Sequence, residues 1–300
     1  MKITTLDIET INNWQPERPR LLPTLSKGAA TSIRPIWEPA DDFAPLALHE
    51  PVVIVWLDFD SDNMTLDLHI YRKVDGCPDV EADALFALSQ SLRKAHRVVT
   101  WNGRGFDMPL LNIRALVHRV NWAFWQNMNH RYANFKKDLV HYDLMDLLGD
   151  QGGARGIGFD HVRALLGFAG KYDMHGGDVK DIWPTDPDRV VTYCVEDVWE
   201  LWLTYLRWLE VFKCLSQAHV DRVTSWWETS MSWAHDQPEL ERWRGASSVS
   251  HLRPEVAALD EAHRQLDRLP LDDDVRDIMA AFARLRAGLL SDEKGDENDS

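Results

Sequence analysis

Cysteine is scarce: Cys77, Cys194 and Cys214 are the three among 300 residues. Their spacing suits neither a zinc module nor an even-numbered disulfide framework, so a reducing compartment is expected. Long apolar runs are also missing. None is long enough to span a bilayer, and the opening MKITTLDIET carries no apolar signal region. The expectation is a cytoplasmic soluble protein with no membrane partner. Basic charge is in short supply too, with 33 Lys and Arg against 48 Asp and Glu and a net charge of −15. That excludes a protein that coats nucleic acid by bulk electrostatics, because such proteins are basic. An enzyme that grips only a strand end needs just a local basic track, and its binding would be weak and salt-sensitive. No internal repeat is present.

What is present is an ordinary core-forming composition, 45% hydrophobic and 27% charged. Tryptophan is the oddity, with 14 residues, eight of them from Trp183 onward. Residues 2–9 alternate as a strand, with Leu6 and Ile8 on one face and Ile3, Thr5, Asp7 and Glu9 on the other. Asn12–Glu50 is Pro-rich and aperiodic, which reads as a long loop. Val52–Leu57 is a continuous apolar run suited to a buried central strand. Thr65–Arg72 reads as its hairpin partner across the Asp60–Asn63 turn. Helical spacing follows over Val80–Ala95, a strand over Arg97–Trp101, and a helix from Phe106 or Asp107 to His118. Leu139–Tyr142 reads as a fifth strand and Phe159–Leu166 as a short helix. Pro187–Phe212 is the longest helical pattern, with its stripe through Val191, Cys194, Val198, Leu201, Tyr205, Leu209 and Phe212. Strands gathered early with helices around them predict an α/β architecture with a mixed sheet.

Three short motifs carry chemistry. Asp7 and Glu9, two apart on a strand, project from the same face. Two adjacent anions resist ionisation unless a cation lies between them, and an all-oxygen site suits a hard divalent metal. Taken alone, such pairs also decorate exposed strand ends. In Val98–Leu111, VVTWNGRGFDMPLL, a strand ends, a Gly-containing turn follows, and Asp107 begins a helix. Asp is an ordinary helix starter, but here it also stands at the carboxyl end of a strand, where α/β folds build sites. In Thr192–Leu201, TYCVEDVWEL, Tyr193 and Asp197 share one helix face, one residue off the apolar stripe. Core-edge packing explains either residue in isolation.

Their conjunction, in this order and each in its structural context, resembles the tyrosine-bearing branch of the DEDD exonuclease superfamily, with its RNase H-like fold. It is most similar to the proofreading domain of family B DNA polymerases and to predicted stand-alone bacterial relatives of that domain. The matching residues are Asp7-Ile8-Glu9-Thr10, Asn102-Gly103 with Phe106-Asp107, and Tyr193 with Asp197. His141–Leu148 and Gly158–Val179 also look like the family's connecting region, although Gly158-Phe159 stand where the family usually has Ser-Leu. The resemblance covers about residues 1–212. It implies an RNase H-like mixed five-stranded sheet flanked by helices over 1–212. Beyond it, the looser helical pattern with Trp226, Trp227, Trp233 and Trp243 reads as a helical Trp-containing extension, 213–290, and the five acids against one Lys as an acidic disordered tail, 291–300.

The resemblance further implies a metal-dependent 3′-to-5′ exonuclease using two divalent ions, Mg²⁺ or Mn²⁺, against single-stranded DNA ends. Asp7 would bridge the ions, Glu9 and Asp197 would complete one shell, and Asp107 would hold the second ion. Tyr193 would orient the attacking water. Thr10, Asn102, Phe106 and Lys171 are the candidate substrate contacts. The stretch His130–Lys137 offers a basic and aromatic track for a single strand. Asp143 and Asp146 read as structural, and the late Trp residues as helix packing. An RNA exonuclease with the same site, or a silent nucleic-acid- or protein-binding module of the same fold, are the rival readings. The extension is a candidate surface for a replication or repair partner.

Overall fold

The computed structural model describes residues 1–12, 44–123, 125, 140–150, 153–154, 156–168, 174–213 and 216–246. Five strands form one mixed sheet: β1 (Lys2–Asn12), β2 (His49–Asp60), β3 (Thr65–Arg72), β4 (Arg97–Thr100) and β5 (His141–Asp143), in the order β3-β2-β1-β4-β5. The β1–β2 and β2–β3 pairs are antiparallel, and the β1–β4 and β4–β5 pairs parallel. This is the mixed five-stranded α/β sheet that the sequence predicts.

β1 is central, so both of its faces are covered. Leu6 and Ile8 face a layer made by α1 (Pro78–Lys94) and α2 (Asp107–His118), packing with Leu85, Leu88 and Leu111. The opposite face lies under α6 (Pro187–Lys213), a 27-residue helix named in sequence after the short α3 (Leu144–Leu148), α4 (Phe159–Leu165) and α5 (Val179–Ile182). β2 runs longer than its apolar run, from His49 to Asp60, because its flanking residues pair with β1 across a bulge at Glu9/Thr10. β5 is shorter and later than expected. It pairs only with the four-residue β4, Val98↔His141 through Thr100↔Asp143, and Asp143 then caps α3 by accepting from the Asp146 amide.

Beyond α6 come α7 (Gln217–His235) and α8 (Glu241–Ala246). Trp226, Trp227 and Trp243 are core, and Trp233 is half-buried. Trp226 meets Phe59 of β2 at 5.2 Å, and Trp233 and Trp243 approach Trp199 at 5.7 and 5.6 Å. Trp202 donates its indole N–H to Ser230 at 2.9 Å. The chain divides into compact units Met1–Pro254 and Glu255–Ser300. Among the described residues, no helix is long and apolar enough to cross a membrane. Cys77 and Cys194 are free thiols.

Candidate active site

The strand alternation that sends Leu6 and Ile8 into one layer turns Asp7 and Glu9 toward α6. Glu9 is buried and Asp7 half-buried. The bulge after Glu9 kinks the strand at this point, as bulges beside sites commonly do. Thr10, next in line, bonds through its hydroxyl to His49 Nδ1 at 2.8 Å. His49 Nε2 lies 3.1 Å from the Ala44 carbonyl, which can only accept, so Nε2 carries the proton and Nδ1 receives the Thr10 hydroxyl. Burial pushes the His49 pKa down and keeps the ring neutral. The same ring stands edge-on to Phe106 at 5.5 Å, which brings two of the expected substrate contacts, Thr10 and Phe106, to one place.

The turn after β4 is shaped by its residues. Asn102 adopts a left-handed conformation with φ of 59°, tolerable for Asn. A Cβ at Gly103 would lie 2.3 Å from Thr100 Oγ1, so only glycine fits. Asp143 holds the turn from below, accepting from the Asn102 and Arg104 amides at 2.9 Å each, while Asp146 pairs with the Arg104 side chain. Both acids are thus structural. The turn delivers Asp107, almost wholly buried, as the first residue of α2. Burial raises its carboxyl pKa well above the ordinary value, and the charges of Asp7 and Asp143 raise it further. Asp107 Oδ1 is buried without a hydrogen-bond partner.

On α6, Tyr193, Cys194 and Asp197 are all buried. Burial raises the Tyr193 hydroxyl pKa far above its ordinary value, reinforced by Asp197, Glu9 and Asp7, so it stays protonated at any working pH. Asp197 Oδ1 accepts from Arg163 Nη1 at 2.6 Å. Arg163, on α4, is 1% exposed, sits over the Phe159 ring at 5.1 Å, and also pairs with Glu200 one turn along α6. Phe159 stacks on Trp101 at 4.7 Å. Glu200 in turn accepts from the Trp243 indole of α8 at 2.9 Å.

The five residues expected to do chemistry come from β1, α2 and α6, which pack on both sides of the sheet, to within electrostatic reach of one another at Asp7. Asp107 feels Asp7, and Tyr193 feels Asp7, Glu9 and Asp197. The tightest trio is Asp7, Glu9 and Cys194, whose donor atoms lie within 4.8 Å of one another, rather than one containing Asp197. Crowded anions and an orphaned buried carboxylate oxygen are what a cation would satisfy, so the residues fit a divalent metal. Lys171 and His130–Lys137 lie outside the described residues. Sequence reasoning missed Arg163 and His49 as site residues and read Cys194 only as part of an apolar stripe. A cavity of about 540 Å³ beyond the turn is lined by Asn102, Arg104, Asn112, His141 and Asp143 among others, but by none of the four predicted metal carboxylates.

A mixed five-stranded sheet carrying carboxylates on its central strand, faced by a helix with tyrosine and aspartate, is the α/β architecture of an RNase H-like exonuclease fold. A family described as predicted 3′-5′ exonucleases related to the exonuclease domain of PolB matches residues 41–247, and the chain belongs to that family. The match takes in the second and third motifs and runs on through α7 and α8, further than the resemblance over 1–212 reached. Asp7 and Glu9 precede it. A search of curated proteins finds no match.

Proposed function

We propose that this protein removes nucleotides one at a time from the 3′ end of single-stranded DNA in the cytoplasm, by hydrolysis at Asp7, Glu9, Asp107, Tyr193 and Asp197. The supporting observation is that these five side chains, from three separate elements, come within electrostatic reach of one another around Asp7. The four carboxylates would hold two Mg²⁺ or Mn²⁺ ions, with Asp7 between them, Glu9 and Asp197 completing one shell, and Asp107 serving the other. Such ions, when bound, supply positive charge to the scissile phosphate and lower the pKa of a water.

The chain's own residues do the rest. Tyr193 keeps its proton and so orients the attacking water as a neutral hydroxyl rather than acting as a base. Thr10, Asn102 and Phe106 frame the terminal nucleotide, and Lys171 contacts its phosphate. Residues 213–290 would serve a replication or repair partner as its docking region, with 291–300 as an acidic tail.

The test is a single strand labelled at its 5′ end. A descending ladder is expected with Mg²⁺ or Mn²⁺ and none with EDTA. Early release of the label as a mononucleotide would reverse the polarity. Faster degradation of RNA than DNA would move the substrate to RNA, and binding without cleavage of either would leave a silent module.

A further inference from the structure

Cys194 stands between the two motif residues of α6, and its thiol is fully buried against β1. Sγ lies 3.6 Å from the Asp7 carbonyl oxygen and 3.7 Å from Asp7 Oδ2. One donor atom each from Asp7, Glu9 and Cys194 falls within 4.8 Å of the others. Independently, the nine-tenths-buried Asp107 leaves Oδ1 unpartnered, and its charge reaches both Asp7 and Cys194. A group of anions with an unsatisfied oxygen calls for a cation, and one of the donors at hand is sulfur.

We propose that Cys194 gives this centre a soft ligand, so that a thiophilic divalent cation, Zn²⁺ or Cd²⁺, is captured by Asp7, Glu9 and Cys194 and shuts the site. The inference rests on reading the carboxylates as a metal centre, as under Proposed function. Zn²⁺ takes mixed sulfur and oxygen donors in four-coordinate geometry with metal–ligand distances of about 2.0–2.3 Å. Three donors within 4.8 Å close onto such an ion by side-chain rotation. On capture the S–H bond breaks, its proton leaves to solvent, and a sulfur–metal bond forms, with no change in oxidation state. Hard cations gain little from sulfur and prefer oxygen. With Mg²⁺ the thiol therefore stays protonated and packed. One cluster then distinguishes two classes of metal, working with the hard one and held by the soft one.

The experiment uses the full chain, carrying Cys77→Ser and Cys214→Ser so that one thiol remains, stripped with chelator and free of nucleic acid. Cd²⁺ is titrated while the ultraviolet thiolate-to-cadmium charge-transfer band is followed. The expected result is a band saturating at one Cd²⁺ per chain, absent from a further Cys194→Ser variant. Asp7→Asn, which keeps the thiol, should weaken Cd²⁺ binding roughly tenfold or more. No band, or a Cd²⁺ affinity indifferent to Asp7→Asn, overturns the proposal. Should Cys194→Ser fail to fold, the Asp7→Asn titration decides alone. A band in a protein that cleaves no nucleic acid would sink the exonuclease reading and leave only the capture of a soft cation by Asp7, Glu9 and Cys194 standing, whereas cleavage without a band would overturn the capture and leave the exonuclease reading.

Discussion

An ionised Asp107 has little to share its charge with. Its own amide and that of Ile8 help, yet burial and the neighbouring Asp7 and Asp143 all oppose the charge, and Oδ1 is unpartnered. Asp107→Asn keeps the shape, removes the charge, and supplies an NH₂ that can donate toward Asp7. In EDTA at neutral pH the variant should melt higher by on the order of 1 kcal/mol, about 2–4 °C for a chain of this size. With Mg²⁺ its cleavage rate should fall at least ~100-fold, as expected if the proposed metal ligand is gone. A lower melting point in EDTA would show that the carboxylate has a stabilising partner after all. Tyr193 and Asp197 separate differently. Tyr193→Phe keeps the ring packing and removes one hydroxyl, so the rate should drop by on the order of 10²-fold with the fold unharmed. Asp197→Ala should abolish cleavage and also cost roughly 3 kcal/mol, because it strips a partner from the fully buried Arg163. Equal and negligible effects of the two changes, read by turnover and calorimetry, would remove α6 from the site.

At the scale of elements, α4, α6 and α8 are joined by one line of contacts, Asp197–Arg163–Glu200–Trp243. Burial pushes the Glu200 carboxyl up to about 7 from an ordinary 4.5, against the pull of Arg163. A carboxyl with a raised folded-state pKa takes up a proton on folding. Its contribution is full below about pH 4.5 and is lost as pH rises through about 7. Melting temperature in EDTA should therefore decline across that window, and Glu200→Gln should flatten the decline. An unchanged slope in the variant would mean Glu200 keeps its charge throughout. None of this line was legible in the sequence. Patterning and boundary residues placed β3, α2 and α6 within a residue or so, although only α2 buries a single face, and α6 is buried on nearly every side from Tyr193 to Leu206. Alternation also put Asp7 and Glu9 on the correct side of β1. Pairing between elements leaves no such trace: Arg163 on the seven-residue α4 reads as an exposed cation until Asp197 and Glu200 are brought to it. Cys194 sits on the apolar stripe of α6, so periodicity alone accounts for it, and only the packing of α6 on β1 brings its thiol to Asp7. β5 was misplaced by two residues at its start because its limits are set by the short partner strand, not by its own apolar run.

For the whole molecule, a net charge of −15 leaves no long-range attraction for DNA. Binding must therefore rest on local contacts of Lys and Arg with phosphate, and affinity should fall as salt is raised from 50 to 200 mM and counterion release at those contacts gains less. A salt-independent affinity would place recognition in base contacts instead. The C-terminal helices bear on integrity as well. Trp199 and Trp202 are 2% and 0% exposed, and α7 and α8 help to cover them through Ser230, Trp233 and Trp243. Trp226 likewise closes over Phe59 of the sheet. Each large aromatic buries about 150–250 Å², and at about 25 cal/mol per Å² the loss of these covers approaches the ~5–15 kcal/mol that holds a domain together. Removing α8 also strips the Trp243 indole from Glu200 and the Arg242 side chain from Glu196. A chain ending at Lys213, though it keeps every predicted catalytic residue, should therefore show no cooperative thermal transition and no cleavage. A chain ending at Pro254, where the first compact unit closes, should retain both. Circular-dichroism melts and the 5′-labelled ladder, run side by side on the two truncations, read the outcome. A soluble 1–213 chain that melts cooperatively and cuts DNA would make residues beyond 213 an appendage, free to serve a partner rather than the fold.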